Sequence, residues 1–318
     1  MRNYQLWLAL LVTIASGCDS AKEFPASVQR GFVTRTYRDS RGNESKFVVF
    51  VPASYDPQVA CPTILFLHGA GQTGRDGRAQ VQGGLGEAIR SRTQAFPFIT
   101  IFPQSHEGSW LADSADGRRA IAILEMVRKL YNVDEHRIYL TGYSMGGEGT
   151  WSLAAARPDL FAAIIPICPG SNPTAAPRLK DMPCWCFQGD ADATDTLTSA
   201  RKMMLAIKDA GGRPIYQEYP GVGHNCWDIT YRNNDVFEWL LLHQTPWPCS
   251  QKFSKFKSAC LASFSRAISS MLQSVPQVLD PMKYSWPVVF RLDDTNIARC
   301  RYRLRRGSIA ERIPDSPS

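Results

Sequence analysis

The sequence lacks a long apolar run anywhere beyond its N-terminus. Its 318 residues are 44% hydrophobic and 20% charged, which is the ordinary balance of a globular protein. A membrane-spanning helix needs about 20 consecutive apolar residues, and no later segment is expected to form one. The length suffices for one large α/β domain with a full core or for two small domains.

Net charge is missing from most of the chain, although the formal total is +7. Residues 250–318 hold 12 of the 36 lysines and arginines but only 5 of the 29 aspartates and glutamates, so the whole excess lies in this tail. The neutral remainder gives no reason to expect nucleic acid as a partner. We expect the basic tail to be poorly ordered. The alternatives are an arm for an anionic surface and a segment read in a shifted frame.

The N-terminus has the pattern of an export signal. A positive charge at the start precedes the apolar residues 6–14, and small residues come directly before Cys18. We therefore predict a signal peptide over residues 1–18, a linker over 19–30 and an exported protein. Cys18 resembles the lipidated cysteine of bacterial lipoproteins, although Ala15 stands where leucine is usual. A periplasmic, a membrane-anchored and a secreted protein all remain open.

Short apolar runs alternate with helical patterns between residues 31 and 243. Two β-prone runs flank a polar turn at residues 39–43, which predicts an N-terminal antiparallel hairpin. The later alternation predicts a doubly wound, mostly parallel sheet flanked by helices, within one catalytic domain over residues 31–249. The expected strands are 63–67, 98–102, 137–140, 161–168, 183–188 and 214–219, and the expected helices are 116–130, 149–156, 197–210 and 231–243.

Gly142-Tyr143-Ser144-Met145-Gly146 is the principal catalytic motif. It follows a predicted strand and opens a predicted helix, which is the context of a nucleophile elbow. Serine on such a sharp turn is exposed at the edge of the sheet, and the two glycines allow the strand and the helix to approach closely. The alternative is a glycine-rich turn without chemistry.

A nucleophilic serine needs a histidine base and an acid that orients it. In this architecture the histidine and the acid both follow the serine in the chain. Of the five histidines, only His224 and His243 follow Ser144. His224 lies in a glycine-rich loop between a strand and a helix, whereas His243 ends a helix, so His224 is the predicted base. Asp192 and Asp195 both follow a buried strand, and the residues alone rank Asp192 only slightly ahead.

The tetrahedral intermediate needs two backbone N–H donors for its oxyanion. One is expected from Met145, directly after the nucleophile, and the other from the loop that begins His68-Gly69-Ala70-Gly71. Ala70 is the predicted second donor. His68 is expected to hold this loop by hydrogen bonds rather than to act in catalysis.

Residues 31–243 resemble the α/β-hydrolase superfamily. They are most similar to its small esterases, phospholipase/carboxylesterases and polyhydroxybutyrate-depolymerase-like members. The resemblance implies a Ser144–Asp192–His224 triad, with the acid three residues after Gly189, an acyl-enzyme intermediate and no cofactor. It rests on Phe66-Leu67-His68-Gly69, on 142–151, on Gly189-Asp190-Ala191-Asp192 and on Gly223-His224-Asn225-Cys226-Trp227.

Two weaker signals concern cysteine and tryptophan. Cys184 and Cys186, with Cys226, lack the spacing of a zinc site, so core thiols or one disulfide are expected and no metal is predicted. Trp110 and Trp227 either form walls of an acyl pocket or pack in the core.

The motifs together predict a hydrolase of carboxylic esters. No long insertion separates the strands from the elbow, so an open cleft is expected. Such a cleft suits a small-molecule ester or an ester attached to a polysaccharide, of the acetyl, feruloyl or short-chain type. A prolyl-oligopeptidase-like serine peptidase and a non-catalytic cell-envelope binding protein on the same fold are the alternatives.

Overall fold

The computed structural model describes residue 24 and residues 28–245. The predicted signal peptide with Cys18, most of the linker and the basic tail over 250–318 lie outside the described residues. Within them, no helix combines the length and the apolar character needed to cross a bilayer.

The described chain forms an eight-stranded sheet in the order β1-β2-β4-β3-β5-β6-β7-β8. Strand β1 pairs antiparallel with β2, and β2 pairs antiparallel with β4, whereas all other neighbours are parallel. The predicted fold class, a mostly parallel sheet with an N-terminal antiparallel hairpin, is confirmed. The strands are β1 (Gly31–Arg38), β2 (Glu44–Val51), β3 (Cys61–Leu67), β4 (Ile99–Pro103), β5 (Val133–Tyr143), β6 (Ala163–Ile167), β7 (Trp185–Gly189) and β8 (Ile215–Tyr219).

Helices cover both faces of this sheet, which explains the unbroken apolar runs of its central strands. The helices are α1 (Gly84–Arg90), α2 (Ala115–Leu130), α3 (Met145–Ala156), α4 (Thr196–Asp209), α5 (Trp227–Arg232) and α6 (Asn234–Leu241). One apolar cluster contains the buried sides of α2, α3 and α4, and a second contains those of α1, α5 and α6. In β3, residues 64–67 are buried because successive side chains point into these two clusters in turn.

Four elements differ from the sequence-based expectation, and one of them is β5, which covers Val133–Tyr143 rather than residues 137–140. The single helix predicted over 231–243 is wrong, because the chain is extended at Asn233 (φ −76°, ψ 121°) and the Asn233 side chain accepts a hydrogen bond from the N–H of Asp235. Asparagine at this position therefore ends α5 and caps α6. Helix α3 begins at Met145 rather than at residue 149, and α1 was not predicted at all.

The carboxyl ends of the parallel strands meet at one edge of the sheet, and this edge carries the candidate site. The chain segments that leave β3, β5, β7 and β8 hold Ala70, Ser144, Asp192 and His224 respectively. In open α/β sheets this edge is where ligands bind.

Candidate active site

Ser144 occupies a sharp turn between β5 and α3. Its backbone has φ 55° and ψ −121°, a left-handed conformation that costs a non-glycine residue about 1–3 kcal/mol. A Cβ atom at Gly142 would lie 2.6 Å from the carbonyl oxygen of Leu67, and one at Gly146 would lie 2.8 Å from that of His68. Both glycines are therefore required by the close approach of β3 to the turn.

Three side chains from distant parts of the chain form one hydrogen-bonded series. The hydroxyl Oγ of Ser144 lies 2.9 Å from Nε2 of His224. On the other side of the same ring, Nδ1 of His224 lies 2.7 Å from Oδ2 of Asp192. A carboxylate at Nδ1 requires a proton on that nitrogen, so Nε2 is left free to accept the serine proton. The geometry thus brings together the nucleophile, base and acid that the sequence predicted.

The carboxylate of Asp192 is held in place by more than the histidine. Its side chain has no solvent exposure. The amide of Gln188 and the hydroxyl of Thr196 donate to Oδ2 at 2.9 and 2.7 Å, and the N–H of Thr194 donates to Oδ1 at 2.9 Å. Burial raises the pKa of Asp192, but the hydrogen bonds from His224, Thr194 and Thr196 outweigh it and hold this pKa below its usual value. The group is therefore an anion at neutral pH.

The two predicted oxyanion donors lie at helix starts beside Ser144. Met145 is the first residue of α3, and Ala70 is the first residue of a short 3-10 helix, Ala70–Gln72. The first N–H groups of a helix have no acceptor within that helix. Both N–H groups are therefore available for an external oxygen, and the N-terminal end of α3 adds a favourable partial charge.

A cleft of about 470 Å³ opens at Ser144. Trp227 forms one wall: its ring stacks on Tyr143 at 4.3 Å between centroids and meets the His224 ring edge-on at 5.6 Å. The other residues that line the cleft are Gly69, Ala70, Gly71, Gln72, Ala79, Gln82, Tyr143, Ser144 and His224.

The placement of Trp110 in an acyl pocket is wrong. Trp110 is 1% exposed and does not line the Ser144 cleft. Its indole Nε1–H donates to the carbonyl oxygen of His68 at 2.9 Å, and its Cβ packs where α3 has only Gly149. It is a core residue that fixes the segment after β3.

His68 has the structural position that the sequence analysis favoured. It is fully buried, and its Nε2 accepts from the N–H of Ser105 at 2.9 Å while Nδ1 donates to the carbonyl of Gly69 at 2.7 Å. Burial lowers the pKa of His68 to about 4, so it is neutral at physiological pH. It ties the loop after β3 to the loop after β4.

His243, Asp195 and the neighbouring Asp190 lie apart from this series. His243 contacts the carbonyl of Trp239 at the end of α6, at 2.8 Å. Asp190 accepts from the N–H of Gly221 at 2.6 Å, and Asp195 is the residue that precedes α4. None of the three is a partner of Ser144 or His224 in the described part of the chain.

The cysteines of the described residues are free, buried thiols. They are Cys61, Cys168, Cys184, Cys186 and Cys226. Burial raises the pKa of the Cys184 thiol well above its usual value, which makes it a small core side chain rather than a reactive group. Within residues 28–245, no group of three or more histidine, cysteine or acidic side chains is arranged to hold a metal ion.

The residues that hold the acid were not predicted from the sequence. Thr194 and Thr196 follow Asp192 by two and four positions, a spacing typical of side chains that hydrogen-bond within one loop, and this signal was available. Gln188 offered no such signal, because it lies in a strand that reads as apolar.

Known proteins similar to this chain include esterases and a depolymerase. The profile of the Esterase family matches residues 39–204, which include Ser144 and Asp192. The crystal structure of a thermostable esterase is 33% identical, with a TM-score of 0.63 over 67% of this chain and 63% of that one.

Two curated proteins match shorter segments. The bifunctional acetylxylan esterase/xylanase XynS20E of Neocallimastix patriciarum is 27% identical over 49% of this chain and 22% of its own length. The poly(3-hydroxyalkanoate) depolymerase C of Paucimonas lemoignei is 29% identical over 39% of this chain and 31% of its own length. The chain thus spans less than a third of either relative. Because the family profile covers half of the chain and the fold agrees, the chain belongs to the Esterase family of α/β-hydrolases.

Proposed function

We propose that the protein is a serine hydrolase that cleaves carboxylic esters through an acyl-enzyme intermediate. The observation that carries the proposal is the contact of 2.9 Å between Oγ of Ser144 and Nε2 of His224. A hydroxyl is a weak nucleophile, and a base at this distance can remove its proton as it attacks. Membership of the Esterase family supports the same reaction class.

In the first half-reaction, Oγ of Ser144 attacks the ester carbonyl and its proton passes to Nε2 of His224. The carbonyl oxygen becomes an oxyanion, which accepts hydrogen bonds from the N–H groups of Met145 and Ala70. Histidine then gives the proton to the leaving alcohol as the C–O bond breaks. The acyl group remains on Ser144.

In the second half-reaction, water takes the place of the alcohol. His224 removes a proton from the water, the hydroxide attacks the acyl carbonyl, and Oγ leaves with the proton returned by His224. The anionic Asp192 stabilises the imidazolium that forms in each half and keeps Nδ1 protonated. No cofactor takes part in this scheme.

We propose an acetyl or similarly small acyl group as the substrate class, carried by a small molecule or by a polysaccharide. The Ser144 cleft is open and is lined largely by small and amide side chains, which suits a short acyl chain on a bulky alcohol. Similarity to an acetylxylan esterase supports acetyl esters first. Feruloyl esters are the second candidate, because the Trp227 ring could stack on an aromatic acid.

The full chain should hydrolyse p-nitrophenyl acetate, and Ser144→Ala should reduce kcat to background. A fluorophosphonate probe should label the wild-type protein at Ser144 and leave the variant unlabelled. Equal activity in Ser144→Ala would contradict the mechanism. A wild-type protein that is neither active nor labelled would favour the non-catalytic binding protein.

Three further substrates distinguish an acetyl esterase, a feruloyl esterase and a peptidase. Acetylated xylan, feruloylated arabinoxylan and a prolyl peptide p-nitroanilide are compared at equal enzyme concentration. We expect release of acetate to have the highest kcat/KM. Faster cleavage of the anilide would favour the peptidase alternative.

The proposed setting is outside the cytoplasm. The charge, apolar stretch and small residues before Cys18 support export, with lipidation as one way of attachment to a membrane. Expression of the full chain in a bacterium should give a protein shortened at its N-terminus. A Cys18→Ala variant should lose membrane association if Cys18 is lipidated and should be unchanged if it is not.

A further inference from the structure

A second cleft lies at the same edge of the sheet as Ser144. Its volume is about 660 Å³, larger than that of the Ser144 cleft. It lies between the turn that joins β1 and β2, the loops after β3 and β4, and the first turns of α2. The loop after β3 borders both clefts, with Ala70 lining the Ser144 cleft and Arg75 lining the second one.

Arginine side chains from three of these segments line the second cleft. Arg119 of α2 has a side chain only 14% exposed, and it pairs with the fully buried carboxylate of Asp116. The same carboxylate accepts from the N–H groups of His106 and Glu107 at 3.0 and 2.9 Å. The Nε atom of Arg119 has no hydrogen-bond partner among the described residues. The guanidinium is therefore fixed in position before any ligand arrives.

His106 also lines this cleft, beside two of its guanidinium groups. Burial, followed by the nearby charges of Arg119 and Arg75, lowers the pKa of His106 to about 4. Arg75 likewise adds to burial in lowering the pKa of Arg119. Arg75, His106 and Arg119 are therefore close enough to repel one another when charged.

The charges of the cleft leave one positive charge in excess. Glu44 is paired with Arg38, and Asp116 with Arg119. The charged lining residues that remain are Arg41, Arg75 and Arg118 against Asp39 and Glu107. A singly charged anion would balance this excess, whereas a doubly charged phosphate would leave the cleft with a net negative charge.

We propose that this cleft binds a sugar residue that carries a carboxylate. Arginine guanidinium groups match a carboxylate with two parallel hydrogen bonds, and Arg75 and Arg118 are both exposed at the cleft. The Nη1 atom of Arg118 donates to the carbonyl of Asp113, which leaves the other N–H groups of this guanidinium for a ligand. The hydroxyl of Ser40 and the amide oxygen of Asn43 are partners for sugar hydroxyls. The carboxylate of Asp39 already accepts from the N–H groups of Arg41 and Asn43 and from the side-chain amide of Asn43. The volume lies within the range of pockets that hold small ligands. Binding at this cleft does not depend on ester cleavage at Ser144.

Titration calorimetry of the full chain with sodium glucuronate, glucose and glucose 6-phosphate tests the proposal. Glucuronate should bind at least about tenfold more tightly than glucose, because only glucuronate offers the arginines a carboxylate. Arg75→Gln and Arg118→Gln should each weaken glucuronate binding severalfold. Arg201→Gln is the matched control, because Arg201 is exposed and paired with Glu218 away from the cleft.

A second measurement locates the ligand. The imidazole pKa of His106, followed by NMR with a His106→Asn variant for assignment, should rise when glucuronate is added, since a carboxylate offsets the neighbouring guanidinium charges. The proposal is overturned if glucuronate binds no better than glucose, or if the cleft variants behave like Arg201→Gln. Tighter binding of glucose 6-phosphate than of glucuronate would also overturn the proposal, because the cleft would then prefer a phosphate to a carboxylate. Ser144→Ala should bind glucuronate as the wild type does, which separates this result from a failure of the proposed esterase.

Discussion

Oδ2 of Asp192 lies 2.7 Å from Nδ1 of His224, on the side of the ring opposite Ser144. The carboxylate is removed from solvent and receives three further hydrogen bonds from side chains of Gln188, Thr194 and Thr196. Such a carboxylate can neither rotate freely nor take up a proton near neutral pH. It therefore determines which nitrogen of His224 carries the proton.

Replacing Asp192 by Asn should lower kcat for p-nitrophenyl acetate by about 10³–10⁴-fold, because an amide N–H can force the wrong tautomer on His224. Asp190→Asn is the matched control. Asp190 is exposed and accepts only from the backbone of Gly221 in the described residues, so its variant should stay within a few-fold of the wild type. A similar loss in both variants would show that the loop as a whole, not the Asp192 carboxylate, supports activity.

The buried His68 should give the free energy of unfolding a specific pH dependence. Its pKa is about 4 in the folded protein and about 6.5 in an unfolded chain. Between these values only the unfolded chain binds the proton, so this contribution is complete above about pH 6.5 and is lost as the pH falls towards 4. The slope is about 1.4 kcal/mol per pH unit in that window.

Urea unfolding of the wild type and of His68→Gln at pH 7, 6, 5 and 4.5 measures this slope. The difference in unfolding free energy between the two proteins should shrink as the pH falls, because glutamine has no proton to bind. A His243→Gln variant controls for loss of a histidine at the end of a helix. A difference that stays constant across the range would mean that His68 is not kept neutral by burial.

The fold and the site differ in how far they could be predicted. Ser144 could be selected because its motif follows an apolar run that reads as a parallel strand, and His224 because it follows Ser144 in a glycine-rich loop. The residues alone ranked Asp192 only slightly ahead of Asp195, and the family resemblance selected it. Helix α1 could not, because it contains two glycines and forms only as Leu85 and Ile89 become buried. The position of Trp110 was equally hidden, since a tryptophan in a cleft and one in the core have the same local pattern.

Trp110 is buried in the core and Trp227 lines the Ser144 cleft, so substitutions of the two should affect different properties. Trp110→Phe removes the hydrogen bond to His68 and leaves a void, so it should lower Tm by several degrees while KM stays the same. Trp227→Leu should raise KM for aromatic acyl esters severalfold more than for acetyl esters, with a small change in Tm. Thermal melts and Michaelis–Menten constants for p-nitrophenyl acetate and for methyl ferulate provide the comparison. A raised KM in Trp110→Phe would indicate instead that Trp110 contacts the substrate.

The close contact between Gly146 and β3 should make this glycine essential for folding. In Gly146→Ala the new methyl group would collide with backbone carbonyl groups of Leu67 and His68, which cannot move without shifting the central strand. We expect a loss of at least about 3 kcal/mol, or about 6 °C or more in Tm. Gly71→Ala is the control, because nothing lies within 4 Å of a Cβ there. Melting within 2 °C of the wild type would contradict the steric argument.

The N–H group of Ala70 can be removed without changing any catalytic side chain. Ala70 is the first residue of its 3-10 helix, a position that tolerates proline, and the preceding Gly69 is extended with φ −78° and ψ 172°. Ala70→Pro should therefore fold normally but lack one oxyanion donor. We expect kcat to fall by about 10²–10³-fold with little change in KM, because the lost hydrogen bond forms fully only in the transition state. Ala70→Gly keeps the N–H and should retain activity close to that of the wild type. If the proline variant has a normal Tm and normal kcat, the second donor must come from another residue of the loop after β3.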